Sequence, residues 1–121
     1  MASQLDDFLA ANSSLTRKQI ERMTLQVSLQ NVTEDERERE TRAELSGVSQ
    51  GAYYRVLSQA KNNIDQALYT VLLCARIGVI QMDDLRRLLD MVNKAPSELS
   101  DEDASQLTAL VAALLKRIVM L

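Results

Sequence analysis

The stretch GVSQGAYYRVLSQAKNNI, residues 47–64, decides how the middle of this chain is expected to fold. Gly47 can adopt the left-handed backbone conformation that ends a helix, and Ser49 is a suitable N-cap for the next one. From Gln50 onward, apolar residues recur every three or four positions, which predicts one long helix that continues to about Ile77. The residues of this stripe are expected to lie in the core: Tyr53, Val56, Leu57, Ala60, Ile64, Ala67, Leu68, Val71 and Ala75.

Capping signals predict two helices near the N-terminus. Ser3 and Asp6 are placed to cap a short amphipathic helix over residues 3–11. Thr16-Arg17-Lys18-Gln19 has the form of a capping box, in which the Thr and Gln side chains bond each other's backbone amides. The sequence therefore predicts a second helix from about Arg17 to Gln30.

The segment between this helix and Gly47 is strongly charged. Thr33 begins another capping pattern, and residues 34–40 alternate acids with arginines. Such a run favours a solvated helix with close-range ion pairs over a charged linker.

Downstream, Gly78 and Pro96 divide the C-terminal part of the chain. Gly78 is expected to end the long helix, and another helix is predicted from Met82 to Asn93. Ser100 can cap a last helix, whose apolar residues alternate four and three positions apart as in a coiled-coil seam. This seam is predicted to form a dimer interface, with closure of the chain's own core as the alternative. Its residues are Leu107, Val111, Leu114, Ile118 and Leu121.

Composition favours an all-α fold. The chain has 121 residues, 46% of them apolar, no Trp, one Phe and three Tyr, with few glycines and one proline. We expect a small helical bundle of five to six helices in a single domain, residues 1–121. A helix-turn-helix region would span residues 15–78, and a C-terminal dimerisation region residues 79–121.

Because no apolar stretch reaches eighteen residues and no secretory signal is evident, a cytoplasmic protein without membrane contact is expected.

The residue types argue against catalysis. Histidine is absent, and Cys74 is the only cysteine. The sequence therefore lacks Ser-His-Asp and Cys-His nucleophilic sites, histidine-ligated zinc and cysteine-rich metal sites. Its three glycines do not have the spacing of a phosphate-binding loop. We expect a protein that is not an enzyme and uses no cofactor or metal, with Cys74 as a buried, inert thiol rather than a reactive one.

The turn at Gly47 has the spacing of a helix-turn-helix. That motif needs a small residue in its first helix, a glycine at the turn, a hydrophobe directly after it and two buried residues on its second helix. These are supplied by Ala43, Gly47, Val48, Tyr53 and Val56. The segment 47–64 also contains two basic residues and no acidic one, although the whole chain has a net charge of -3.

Ala43-Glu44-Leu45-Ser46-Gly47-Val48-Ser49-Gln50-Gly51 resembles the turn region of Cro/repressor-type helix-turn-helix proteins. Together with Leu15-Thr16-Arg17-Lys18-Gln19-Ile20 and with Ala60-Lys61-Asn62-Asn63-Ile64, it is similar to sigma-factor region 4 and to archaeal Tfx-type regulators. The resemblance covers about residues 15–70. It implies binding of double-stranded DNA in the major groove and a role in transcriptional control.

The candidate DNA contacts lie mostly on the predicted second helix. Gln, Asn and Arg side chains can bond base edges, whereas Lys, Ser and Tyr suit phosphates. The candidates are Arg17, Lys18, Ser49, Gln50, Gly51, Tyr54, Arg55, Ser58, Lys61 and Asn62. The expected partners are double-stranded DNA, a second copy of the chain and another regulatory or transcription protein. The alternative is a helical protein-interaction or assembly module that does not bind DNA.

Overall fold

In the computed structural model of the chain, residues 3–29 and 47–121 are described, and they form five α-helices. These are α1 (Gln4–Asn12), α2 (Arg17–Ser28), α3 (Gln50–Ile77), α4 (Met82–Lys94) and α5 (Asp101–Ile118). Within the described ranges the only β pairing is one antiparallel bridge between Ile80 and Val119. The predicted all-α class is confirmed.

The predicted caps are formed. At the start of α1 and of α2, the capping box is complete in both directions. Ser49 Oγ accepts from the Ala52 amide at 3.2 Å, and Ser100 Oγ accepts from the Asp103 amide at 3.1 Å. Each bond satisfies an amide that the first turn of a helix leaves unpaired, so local sequence set these helix starts.

Glycine ends α3 as expected. Gly78 has a φ of +95°, and its amide donates to the Cys74 carbonyl at 3.0 Å. Gly47 also has a positive φ, of +77°. The helix predicted before it, with Thr33, the charged run 34–40 and Ala43, lies outside the described residues.

The chain divides into two compact units, and the predicted single domain, residues 1–121, stays a prediction. A terminal unit comprises Met1–Ser13 and Leu68–Leu121, and a central unit comprises Ser14–Ala67. The boundary between them falls inside α3 rather than at Gly78. None of the helices in residues 3–29 and 47–121 has the length and apolar character needed to cross a membrane.

The core of the terminal unit is built by α1, α4 and α5. Its buried residues are Leu5, Leu88, Val111, Leu114 and Ile118, with Leu107 partly buried against them. The Gln4 side chain on α1 also donates to Ser105 Oγ on α5 at 3.2 Å, and Arg117 Nη2 lies 3.5 Å from the buried Asp84 on α4. These contacts join segments that are far apart in sequence.

This core contains most of the seam predicted for dimerisation. Val111, Leu114 and Ile118 are buried, Leu107 is half-buried, and of the five seam residues only Leu121 is exposed. The seam residues of α5 are therefore core residues of the chain itself, because α5 turns this face toward α1 and α4.

Candidate nucleic-acid interface

The N-terminal half of α3 is held by α2 within the central unit. Tyr53 Oη donates to Gln26 Oε1 at 3.2 Å, near the end of α2. Near the start of α2, the side chain of Asn63 on α3 forms two further bonds. Its Nδ2 donates to the Ser14 carbonyl at 2.7 Å and to Gln19 Oε1 at 3.3 Å. Because later residues of α2 meet earlier residues of α3, the two helices run antiparallel.

These contacts orient α3 and leave one side of it in solvent. Tyr53 and Ala60 are completely buried. On the far side, about 160° around the helix by its 100° step per residue, Arg55 and Asn62 are exposed. We call the exposed residues Gly51, Arg55, Ser58 and Asn62 the polar face.

Arg55 is the cation on the polar face. No other described residue forms an ion pair with it, and residues 47–64 contain no acid. A guanidinium with five donors in a planar fork is therefore presented to solvent beside a serine and an asparagine. This arrangement can bond phosphates or the acceptor edge of a guanine.

Beside the polar face, three of the predicted DNA contacts form a second stripe on α3: Gln50, Tyr54 and Lys61. Their polar groups are less accessible to DNA than the sequence predicted. Gln50 and Tyr54 are half-buried, and the Tyr54 ring packs edge-on against Tyr53 with centroids 5.0 Å apart. The Tyr54 hydroxyl is enclosed and has no hydrogen-bond partner among the described residues. It therefore does not reach solvent as a phosphate contact would. Lys61 is exposed, but its Nζ lies 2.8 Å from Asp65 Oδ2.

The remaining candidates differ in position. Ser49 is exposed, but its hydroxyl is used to cap α3. Arg17 and Lys18 are exposed on the first turn of α2, next to the buried Gln19 that bonds Asn63. Arg17 pairs with Glu21 at 3.2 Å in a solvent-exposed ion pair. The structure brings the polar face together on α3, whereas Arg17 and Lys18 lie on another helix.

Charge is distributed unevenly between the units. The described residues of the central unit carry five basic and two acidic side chains. The undescribed segment 30–46 adds three basic and six acidic ones, and the terminal unit has six basic and nine acidic ones. The positive charge around α2 and the first half of α3 is thus local, with three basic residues on α2 and two, Arg55 and Lys61, on that half of α3.

The C-terminal half of α3 departs from the prediction that its apolar stripe is core. Leu68 and Val71 are exposed, as are several apolar residues outside the stripe. Cys74, predicted to be buried, is half-buried. The exposed apolar residues outside the stripe are Tyr69, Leu72, Leu73 and Ile77. A signal for this was present in the sequence, since apolar residues from 67 to 75 lie on nearly all sides of the helix and only Thr70 interrupts them.

Within residues 3–29 and 47–121, no group of three or more Cys, Asp or Glu side chains could hold a metal ion.

Comparison of the chain with protein-family models, with curated proteins and with solved structures found no match.

Proposed function

We propose that this protein binds double-stranded DNA through the N-terminal half of α3, as the second helix of a helix-turn-helix, and acts in transcriptional control. One observation carries the proposal. The polar face is exposed along three turns and contains no acid, while the opposite side of the same helix is buried. A supported helix with one polar side free is what the major groove accommodates.

Each residue of the polar face has a role in this proposal. Arg55 contacts a guanine edge or the adjoining backbone, since its guanidinium can donate two parallel hydrogen bonds. Ser58 and Asn62 donate to phosphates or base edges further along the helix. Gly51 has no heavy atom within 4 Å of the position a Cβ would take, and its lack of a side chain lets the DNA backbone approach the helix start.

The proposal predicts salt-dependent binding that requires Arg55. The full chain is titrated with a fluorescent mixed-sequence duplex at about 50 mM and about 200 mM salt, and affinity is expected to fall as counterions compete for the phosphates. Arg55→Ala is expected to weaken binding about tenfold or more, in the range of a lost base or phosphate contact.

Arg86→Ala is the matched control. Arg86 is also an exposed arginine, pairs only with the neighbouring Asp83, and its removal changes the net charge equally. It lies on α4 of the terminal unit, so duplex affinity should stay within about twofold of the unaltered chain. Absence of binding at low salt, or equal losses for both variants, would contradict the proposal.

Association with protein is a second candidate function, and a different observation favours it. Leu68, Tyr69, Leu72 and Leu73 leave an apolar surface in solvent on one short stretch of α3. Contiguous exposed apolar patches of this kind mark interaction sites. The two functions use different parts of α3 and are compatible with each other.

A further inference from the structure

Within residues 3–29 and 47–121, the C-terminal half of α3 leaves a group of apolar side chains exposed. Residues 66–75 contain no charged side chain. Leu68, Tyr69, Leu72 and Leu73 are 56%, 72%, 65% and 60% exposed, and none of the residues that build the core of the terminal unit comes from α3. A helical stretch with so few polar residues is ordinarily buried, so this one is suited to contact a partner surface.

Charges bracket this stretch symmetrically. We call Leu68, Tyr69, Leu72 and Leu73 the apolar face. Asp65 precedes it by three residues, and Arg76 follows it by three. The helical step places both charges within about 20° of each other, on the same side as Leu72. An acid, an apolar patch and a base therefore follow one another along one line of the helix.

This order is self-complementary when two helices run antiparallel. We propose that a second copy of this chain covers the apolar face, by antiparallel packing of α3 on α3 about a two-fold axis between residues 70 and 71. Leu68 of one copy then packs beside Leu72 of the other along one edge of the contact, and Tyr69 packs beside Leu73 along the other edge. Asp65 of one copy meets Arg76 of the other, and symmetry forms this ion pair twice.

Both charged residues are available for such a pair. Arg76 is exposed and forms no ion pair with another described residue. Asp65 is paired with Lys61 through Oδ2, which leaves Oδ1 able to accept from a guanidinium. An unrelated partner would need a basic and an acidic group at these separations, whereas a second copy supplies them by symmetry.

The size of the surface also fits a second copy. From the exposed fractions, the apolar face presents roughly 500 Å² per copy before Asp65 and Arg76 are added, against about 800 Å² per partner in standard interfaces. The chain's own segment 30–46 is a poor alternative cover, because it offers only Val32, Ala43 and Leu45 as apolar residues among nine charged ones. The inference does not depend on DNA binding.

The first test measures the mass of the full chain without DNA. Sedimentation equilibrium at micromolar concentrations is expected to give about twice the 13.6 kDa of one copy. Leu72→Glu is expected to raise the dimer dissociation constant about tenfold or more, because it places a carboxylate in the apolar contact. Since Leu72 is 65% exposed, its far-UV circular dichroism should be unchanged.

Leu89→Glu is the control, because Leu89 is equally exposed at 61% but lies on α4. It should leave the dimer dissociation constant unchanged. A chain that sediments as a monomer at every concentration would overturn the proposal. So would a dimer that Leu89→Glu dissociates and Leu72→Glu does not.

The second test determines the pairing direction. Asp65→Arg places two arginines opposite each other at both ends of the dimer, and Arg76→Asp places two aspartates there. Each variant alone should dimerise more weakly, since like charges face each other. Mixed in equal amounts, they should form a heterodimer in which both pairs are again opposite in charge. If mixing restores no dimer, antiparallel packing in this register is wrong.

Discussion

Asn62 and Asn63 are chemically identical neighbours that the structure uses differently. Asn62 is exposed on the polar face, whereas Asn63 turns toward α2. The Asn63 carboxamide accepts from Ser14 Oγ at 2.7 Å and donates to the Ser14 carbonyl at 2.7 Å. A rotation of 100° along the helix separates a residue that holds the fold from one available to a ligand.

Substituting each asparagine by alanine should therefore separate stability from binding. Asn63→Ala is expected to lower the free energy of unfolding by about 1–3 kcal/mol, since it removes two hydrogen bonds to the exposed Ser14 and one to the buried Gln19. Asn62→Ala should change it by less than about 0.5 kcal/mol, as exposed substitutions usually do, but should weaken duplex binding. Urea denaturation and the duplex titration measure the two effects. Equal destabilisation by both variants would contradict this assignment.

The α5 helix shows why an apolar pattern identifies a buried face without identifying its partner. A seam of alternating four- and three-residue spacing suits contact with a second copy and contact with other helices of the same chain equally. The partner is in fact α1 and α4, so Val111 and Leu114 are buried within the chain. The exposed apolar residues of α5 include Leu110 and Leu115, which lie beside this seam.

If the seam of α5 is core, truncating one of its residues should destabilise the folded chain. If the seam is a dimer interface, the same truncation should weaken the dimer instead. Leu114→Ala is expected to lower the free energy of unfolding by about 2–5 kcal/mol through loss of buried surface and the cavity that remains. Leu110→Ala, at 47% exposure on the same helix, should cost less than about 1 kcal/mol. Thermal and urea denaturation at two protein concentrations provide the measurement. Unchanged stability of the Leu114 variant, with a loss of dimer, would restore the original seam prediction.

At the scale of the whole molecule, α3 links the two proposals, because it carries both surfaces. The polar face belongs to the central unit and the apolar face to the terminal unit, so a dimer formed through the apolar face carries two copies of the polar face.

The combined arrangement predicts the organisation of a preferred DNA site. Duplexes enriched from a random pool should contain inverted repeats with centres about 10–11 base pairs apart. Inserting about five base pairs between the half-sites should turn one away from the dimer and weaken binding. The Leu72→Glu variant should lose this dependence on spacing while retaining weaker half-site binding. Enrichment of single or direct-repeat sites would contradict the antiparallel arrangement, even if DNA binding itself were established.

Local sequence determined the helices of this protein. Ser3, Thr16, Ser49 and Ser100 start four of the five described helices, and Gly78 ends the longest, because capping and backbone conformation depend on residues within one turn. The Gln81 cap of α4 was missed, since glutamine is an uncommon N-cap. The exposed side of α3 from Gly51 to Asn62 was likewise predictable from residue type and helical period.

What only the tertiary structure decided was which apolar faces are covered. The burial of Leu114 depends on Leu5, more than a hundred residues earlier, and the exposure of Leu72 depends on the absence of Leu68–Ile77 from that core. Both stretches are aliphatic and helical, and their composition does not distinguish them. The hydrophobic effect acts on any apolar surface without specifying a partner. The sequence by itself therefore determined where helices form and which sides are apolar, and long-range packing determined which of those sides remain for another molecule.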